Sequence, residues 1–312
     1  MTEQPKMNVS GVRRLPKRGL PSDLTIYSGT AEQLLRSLDP AIKFDLIISS
    51  PPYNIGKPYE QKTELALYLR QQSQLIDLMV SRLSTCGSIC WQTGNYVQNG
   101  GKTKGRIFPL DFLFVSLFQK HDLQLRNRII WHFGHGLHCK HRFSGRYETI
   151  LWYTKSDDYI FNLDDVRIES KYPGKTSYKG PNKGHLSGNP MGKNPEDFWV
   201  FEDVWDIPNI KGNHIEKTTH PCQFPIGLVE RLILALSRKG GLVFDPYAGV
   251  ASTGVAAALH ERKFLGAEIR NDYSVVGKKR MLDAVNGKLK YRSHDTPIYD
   301  PSRSKLSQKP TR

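Results

Sequence analysis

Residues 44–49 read FDLIIS, a short run apolar enough to be buried on both faces of a sheet. A strand covered on both sides needs helices above and below it, so this run commits the chain to a layered α/β architecture. The flanking segments agree. LTIYSG (24–29) reads as a strand ending at Gly29, and AEQLLRSL (31–38) carries Leu34, Leu35 and Leu38 at helical spacing. Strand, helix and strand in close succession form a βαβ unit and imply a parallel sheet. The run then stops at Ser50-Pro51-Pro52-Tyr53. Proline has no N–H to donate and a fixed φ, so this stretch neither extends the sheet nor starts a well-bonded helical turn. Its carbonyls are free to face a ligand. Taken alone, the four residues describe equally a rigid turn with Tyr53 packed inward.

The α/β pattern continues on both sides of an irregular middle. A helix is predicted from about Glu64 to Leu83, a strand over 88–94, a helix over 110–121, and strands over 126–133 and 147–155. From Phe161 to Lys217 the chain is rich in Gly, Pro, Asn, Lys and Tyr and has no helical or strand period. Trp199, Phe201 and Trp205 imply that at least its end packs on something. Regular structure returns with an amphipathic helix over 224–237, then strand, glycine turn, helix and strand over 240–269. The chain thus divides into a flexible basic arm (1–22), a first half of the domain (23–160), an irregular recognition region (161–217), a second half (218–285) and a polar tail (286–312).

The second half holds a ligand turn. Strand 242–244 delivers Asp245, and a turn containing Gly249, Ala251 and Ser252 opens a helix. Ligands of open α/β sheets bind outside the carboxyl ends of strands, beside such turns, and small residues let the backbone approach them. The next strand ends at Glu268, placed to accept hydrogen bonds from two ribose hydroxyls. The turn is neither G-x-G-x-x-G nor a Walker sequence, so a pyrophosphate cradle is not supported. Asp245 suits a cation or an amino group, and S-adenosylmethionine carries both a sulfonium and an α-ammonium.

These pieces in this order resemble the amino-group DNA methyltransferases of the permuted beta class. In that family a [D/N/S]-P-P-[Y/F] motif comes first, target recognition lies in the middle, and the cofactor motif comes last. Here they are Ser50-Pro51-Pro52-Tyr53, the 161–217 region, and Asp245-Pro246-Tyr247-Ala248-Gly249-Val250-Ala251-Ser252-Thr253. His220-Pro221-Cys222-Gln223-Phe224-Pro225 resembles the family segment that packs over the cofactor, which implies a cofactor-side role for His220 and Phe224. The resemblance spans about residues 22–285 and implies one Rossmann-like methyltransferase sheet with circularly permuted motifs. Two departures stand out: Ala251 replaces the family's second glycine, and Thr30 follows Gly29 where an acid is common.

The resemblance also gives the chemistry. An exocyclic amine of cytosine or adenine is a poor nucleophile because its lone pair is conjugated with the ring. Two acceptors aimed at its two N–H bonds would make it more tetrahedral. The Ser50 hydroxyl is one, and the family places the other at the Pro51 carbonyl, held rigid by proline. Tyr53 can stack on a base flipped out of the duplex. Family members with Ser at this position mostly methylate cytosine N4, and those with Asp or Asn adenine N6. Cytosine N4 is the favoured target, adenine N6 the alternative. No Pro-Cys nucleophile supports C5 chemistry.

Charge points the same way. Lys and Arg total 45 against 30 Asp and Glu, a net +15, which suits a polyanion such as double-stranded DNA. Lys102, Lys104 and Arg106 in one loop, Lys140 and Arg142 in another, and Lys171, Lys175, Lys179 and Lys183 in the recognition region are the phosphate-contact set. His132, His135, His138, Cys139 and His141 invite a zinc reading, but a second clean ligand pair is missing, so no metal is assigned. No apolar stretch is long enough for a membrane helix, the N-terminal residues do not read as a secretory signal, and the four cysteines read as reduced thiols; a cytoplasmic location is expected. The family adds a cognate restriction endonuclease and a homodimer as partners. The rivals are an RNA or protein-glutamine methyltransferase and a non-catalytic DNA-binding module.

Overall fold

The computed structural model describes residues 22–98, 105–133, 138–200, 207–212, 214–293 and 296. Lys102, Lys104, His135, Phe201, Trp205 and the basic arm lie outside them. Along the chain come β1 (Leu24–Ser28), α1 (Ala31–Ser37), β2 (Phe44–Ser49), α2 (Leu65–Arg82), β3 (Leu83–Thr93), β4 (Asn95–Val97), β5 (Ile107–Pro109), α3 (Leu110–Phe118), β6 (Gln124–His132), β7 (Tyr147–Thr154), β8 (Phe198–Trp199), α4 (Ile226–Leu236), β9 (Leu242–Asp245), α5 (Ser252–Leu259), β10 (Lys263–Glu268) and α6 (Asn271–Val285).

Among the described residues, eight strands form one sheet in the order β1-β10-β9-β2-β3-β7-β6-β8, and β4 and β5 make a separate hairpin. The pairings from β1 to β3 are all parallel. β7 alone runs against its neighbours β3 and β6. β1 and β2 are therefore parallel but not adjacent: β9 and β10, from the far end of the sequence, slot between them.

Side chains alternate between two cores, which is why FDLIIS is apolar throughout. Leu46 and Ile48 face a core shared with Leu232, Val255 and Met281 of α4, α5 and α6. Phe44 and Ile47 face the other, shared with Leu35, Ile76 and Phe114 of α1, α2 and α3. Phe44 stacks on Phe244 across β2 and β9 at 4.5 Å. Thr30 supplies the cap of α1: its Oγ1 accepts from the Gln33 N–H at 3.2 Å, and Gln33 Oε1 accepts from the Thr30 N–H at 3.2 Å.

The helix after β2 packs on one face of the sheet and the helix after β9 on the other. Between these neighbouring strands the connections part, leaving a crevice at their carboxyl ends. The Ser-Pro-Pro-Tyr stretch and the Asp245 turn both open into it. Because β7 runs the opposite way, its first residues also lie at this edge: Thr149 pairs with Thr93 at the end of β3.

The 161–217 region is mixed. Val166, Ile168, Trp199, Ile207 and Ile210 are buried, and β8 extends the sheet beside β6. Residues 169–190 are almost wholly exposed and hold only isolated bridges, Thr176 with Leu186 and Ser177 with Lys183.

Candidate active site

Asp245, 1% exposed, is the hub of the crevice. Its Oδ1 accepts from Ser49 Oγ at 2.8 Å and the Tyr247 N–H at 3.1 Å, and its Oδ2 accepts from Thr253 Oγ1 at 2.7 Å. Burial pushes its carboxyl up to about 6, against the pull of these donors. The residue set against a cofactor cation in the sequence thus has three protein donors on its oxygens. They tie the end of β2 to the turn after β9 and the start of α5.

The turn itself is left-handed at Gly249 (φ +53°) and at Ala251 (φ +57°). For alanine that conformation costs about 1–2 kcal/mol. Ala251 is fully buried, and Gly277 of α6 admits it: a Cβ on Gly277 would sit 3.0 Å from the Ala251 methyl. Arg280, also buried, donates from Nη1 to the Val250 carbonyl at 2.5 Å, and Ser252 Oγ donates to the Phe224 carbonyl at 2.8 Å.

Glu268 Oε2 accepts from the Gly249 N–H at 2.8 Å and Oε1 from the Arg270 N–H at 2.7 Å. The acid is fixed by backbone donors, and each oxygen keeps a lone pair for a hydroxyl. Burial raises its carboxyl above the usual range. His220 stands beside Gly249, its Nε2 3.5 Å from where a Cβ there would lie. Its ring stacks on Tyr59 at 5.1 Å and meets the edge of Tyr273 at 4.6 Å. Nδ1 accepts from the Cys222 N–H at 3.2 Å, so Nε2 carries the proton, and burial pushes the imidazole down to about 4. Phe224 is half-buried against the α4–α6 core. The Tyr247 hydroxyl accepts from Gln72 Nε2 at 2.8 Å, and its ring packs on Trp91. Pro246 is buried between Asp245 and Tyr247.

At the end of β2, the Pro52 carbonyl accepts from the Tyr68 hydroxyl at 2.8 Å. The Pro51 carbonyl accepts no hydrogen bond among the described residues. Ser50 Oγ lies 3.2 Å from the Tyr53 hydroxyl, which in turn donates to Glu148 Oε2 at 3.2 Å. Gln92 Nε2 donates to the same oxygen at 2.5 Å. Gly94 backs the group, since a Cβ there would sit 3.0 Å from Tyr53 Cε2. Ser49 and Glu148 are residues that sequence reasoning missed. The one available signal for Glu148 was an acid at the head of an otherwise apolar strand.

A small-residue turn, a fixed acid and the Ser-Pro-Pro-Tyr stretch share one crevice, and they lie in sequence inside the match of a single family model. That model, described as DNA methylase, covers residues 44–279. The chain belongs to the N6/N4 DNA methylase family. The methylase is 41% identical over 248 residues to the type II methyltransferase M.BglII of Bacillus subtilis, spanning 80% of this chain and 66% of that protein. It is 35% identical over 270 residues to the type II methyltransferase M.ScaI of Streptomyces caespitosus (86% and 82%) and 30% identical over 264 residues to the DNA adenine methyltransferase YhdJ of Escherichia coli K12 (82% and 82%). The cytosine-N4-specific PvuII DNA methyltransferase shares its fold, with a TM-score of 0.62 at 17% identity over 85% of this chain and 92% of that one. The structure of M1.HpyAVI, which shares the fold at a TM-score of 0.55 and 19% identity over 82% of this chain and 98% of that one, is a complex with S-adenosylmethionine, and the Gly249 turn, the fixed Glu268 and the neutral His220 fit that group.

On the surface of the methylase, Lys171, Lys175, Lys179 and Lys183 are exposed along the 169–190 excursion, beside Tyr172 and Tyr178 at 65% and 90% exposure. Arg106, Lys140 and Arg142 are exposed too, and Phe143 is 98% exposed. Among the described residues no three metal-ligating side chains converge, and no helix is long and apolar enough to cross a membrane.

Proposed function

We propose that the methylase transfers a methyl group from S-adenosylmethionine to the exocyclic N4 amine of a cytosine flipped out of duplex DNA at a specific sequence. The observation that carries this reading is the acceptor pair at the end of β2. The Pro51 carbonyl is unspent while its neighbour at Pro52 is taken by Tyr68. Ser50 stands one residue from Ser49, which is bonded to the cofactor turn through Asp245. Two acceptors on one amine draw its N–H bonds out of the ring plane and localise the lone pair. Rigid prolines let this occur with little reorganisation. When bound, the cofactor supplies an electrophilic methyl on a sulfonium. Glu268 would orient its ribose, the Gly249 turn would lie against it, and His220 and Phe224 would cover it. The Tyr53 ring replaces stacking lost on flipping, and the exposed lysines hold phosphates.

Ser50 favours cytosine by the family correlation. The second reading, adenine N6, keeps every other role, and the similarity to the DNA adenine methyltransferase YhdJ favours it. The type II names of M.BglII and M.ScaI support a restriction–modification setting with a cognate endonuclease. A homodimer and a cytoplasmic location belong to the same reading, as does a 161–217 region that reads bases. The test supplies labelled cofactor with DNA, RNA and protein in turn. Label should enter DNA alone, and Ser50→Ala and Tyr53→Ala should each suppress it while cofactor binding survives. Transfer to RNA or protein, or undiminished transfer by both variants, would overturn the reading.

A further inference from the structure

Glu148 is a carboxylate that the roles above leave without a task. It stands at the head of β7, held by Gln92 Nε2 at 2.5 Å and by the Tyr53 hydroxyl at 3.2 Å, both on Oε2. Its Oε1 accepts no hydrogen bond among the described residues and lies 3.4 Å from where a Cβ on Gly94 would be. The consequence follows from counting protons. An ionised carboxylate only accepts, so the single hydroxyl proton of Tyr53 is committed to it. Tyr53 Oη can then only accept from Ser50, at 3.2 Å. That commits the Ser50 proton as well, and Ser50 Oγ is left with lone pairs alone to offer outward. With no anion at the end of the chain, both hydroxyls are free to reverse. Ser50 would then present a proton to the amine, which has no lone pair available to accept it.

We propose that Glu148 is the positioning residue that sets Ser50 as a hydrogen-bond acceptor, acting through the Tyr53 hydroxyl. The inference rests on the proposed methyl transfer to an exocyclic amine. It gives the tyrosine hydroxyl a task that base stacking does not need, and it makes the reaction depend on the charge of Glu148. Burial raises the Glu148 carboxyl above the usual range, while Tyr53, Gln92 and the nearby Lys211 oppose the rise. Tyr59 also faces it, and its phenol feels the charge of Glu148. Both tyrosines are held far above their usual range by burial and stay neutral at working pH.

The experiment is single-turnover methylation by the full chain across pH 5–9, with labelled cofactor and unmethylated DNA, alongside cofactor and DNA binding. Glu148→Gln keeps the volume and removes the charge. Its rate constant should fall about 10- to 100-fold, the scale for a group that orients a reacting group through another. Both binding constants should change little, and the acidic limb of the wild-type profile should disappear. Tyr53→Phe cuts the same chain and serves if Glu148→Gln does not fold; it too should lose the acidic limb. The double variant should be no slower than the slower single one. A Glu148→Gln enzyme with the wild-type rate and profile would overturn the inference and leave the function standing, as would additive losses in the double variant. A wild-type enzyme that labels no amine in DNA would sink the functional reading itself, and this inference with it.

Discussion

Ser49→Ala removes the hydroxyl that joins the end of β2 to Asp245. Both residues are buried, with Ser49 fully so, and the bond is 2.8 Å long. The cost depends on the charge of Asp245. Its folded-state carboxyl titrates at about 6, above the ~3.9 of an unfolded chain. Between those values the folded protein holds the extra proton. The stability linked to this site is therefore fully present below about pH 4 and is lost as pH rises through about 6. The Ser49 hydroxyl limits that loss by stabilising the ionised form. At pH 8 its removal deletes a bond to a charged acceptor, worth about 1.5–3 kcal/mol. At pH 5 the carboxyl is mostly protonated and the deleted bond is neutral, worth about 1 kcal/mol. Urea titrations of wild type and variant at both pH values measure the gap. It should roughly double from pH 5 to pH 8, and cofactor affinity should weaken with it. A gap that stays constant or narrows as pH rises would refute the assignment of Asp245 as a buried hub charged at neutral pH.

Glu268→Ala removes the acceptor that fixes the Gly249 N–H, and should weaken cofactor binding about 10- to 100-fold by calorimetry, the equivalent of about one hydrogen bond to a charged group. Gly254→Ala would place a methyl 2.7 Å from the ring of Phe264 in the α5–α6 core; it should cost about 1–3 kcal/mol in denaturant titration without changing cofactor contacts. Replacing Lys171, Lys175, Lys179 and Lys183 with alanine should flatten the dependence of log Kd for DNA on log salt by about 0.9 for each lysine that holds a phosphate. An unchanged slope would put the DNA on another face.

The sequence was most readable where period and burial coincide. FDLIIS, LVFD and KFLGAE are each buried by alternate residues on two faces, so their apolar runs announce central strands. The order of those strands was not readable from local pattern. Nothing within β1 or β2 says that β10 and β9 come between them; that information lies in which surfaces fit. β8 has two residues and the β4–β5 hairpin three per strand, too short for any period. β3 begins at Leu83, five residues before the apolar core of its sequence, because Ser84 to Gly87 carry no strand signal and are held by their neighbours. The two motifs were legible as pieces, but their joint was not: Ser49 and Asp245 are 196 residues apart in the chain. Glu148 was invisible for the same reason, since its meaning comes from Tyr53 in the loop after β2 and Gln92 on β3. Thr30 and Tyr247 show the converse, residues inside or beside family motifs that the structure spends on a helix cap and on the core.

The most direct test of the account is to incubate the protein with tritiated S-adenosylmethionine and unmethylated bacterial genomic DNA, digest the DNA to nucleosides, and separate these against N4-methylcytosine and N6-methyladenine standards. The account predicts label in N4-methylcytosine, which would support amine methylation and the role of Ser50 together. Label in N6-methyladenine would contradict the cytosine assignment while keeping the acceptor pair and the cofactor turn. Label in neither nucleoside, from protein that binds the cofactor, would contradict the central claim that the acceptors at the end of β2 serve an amine of DNA.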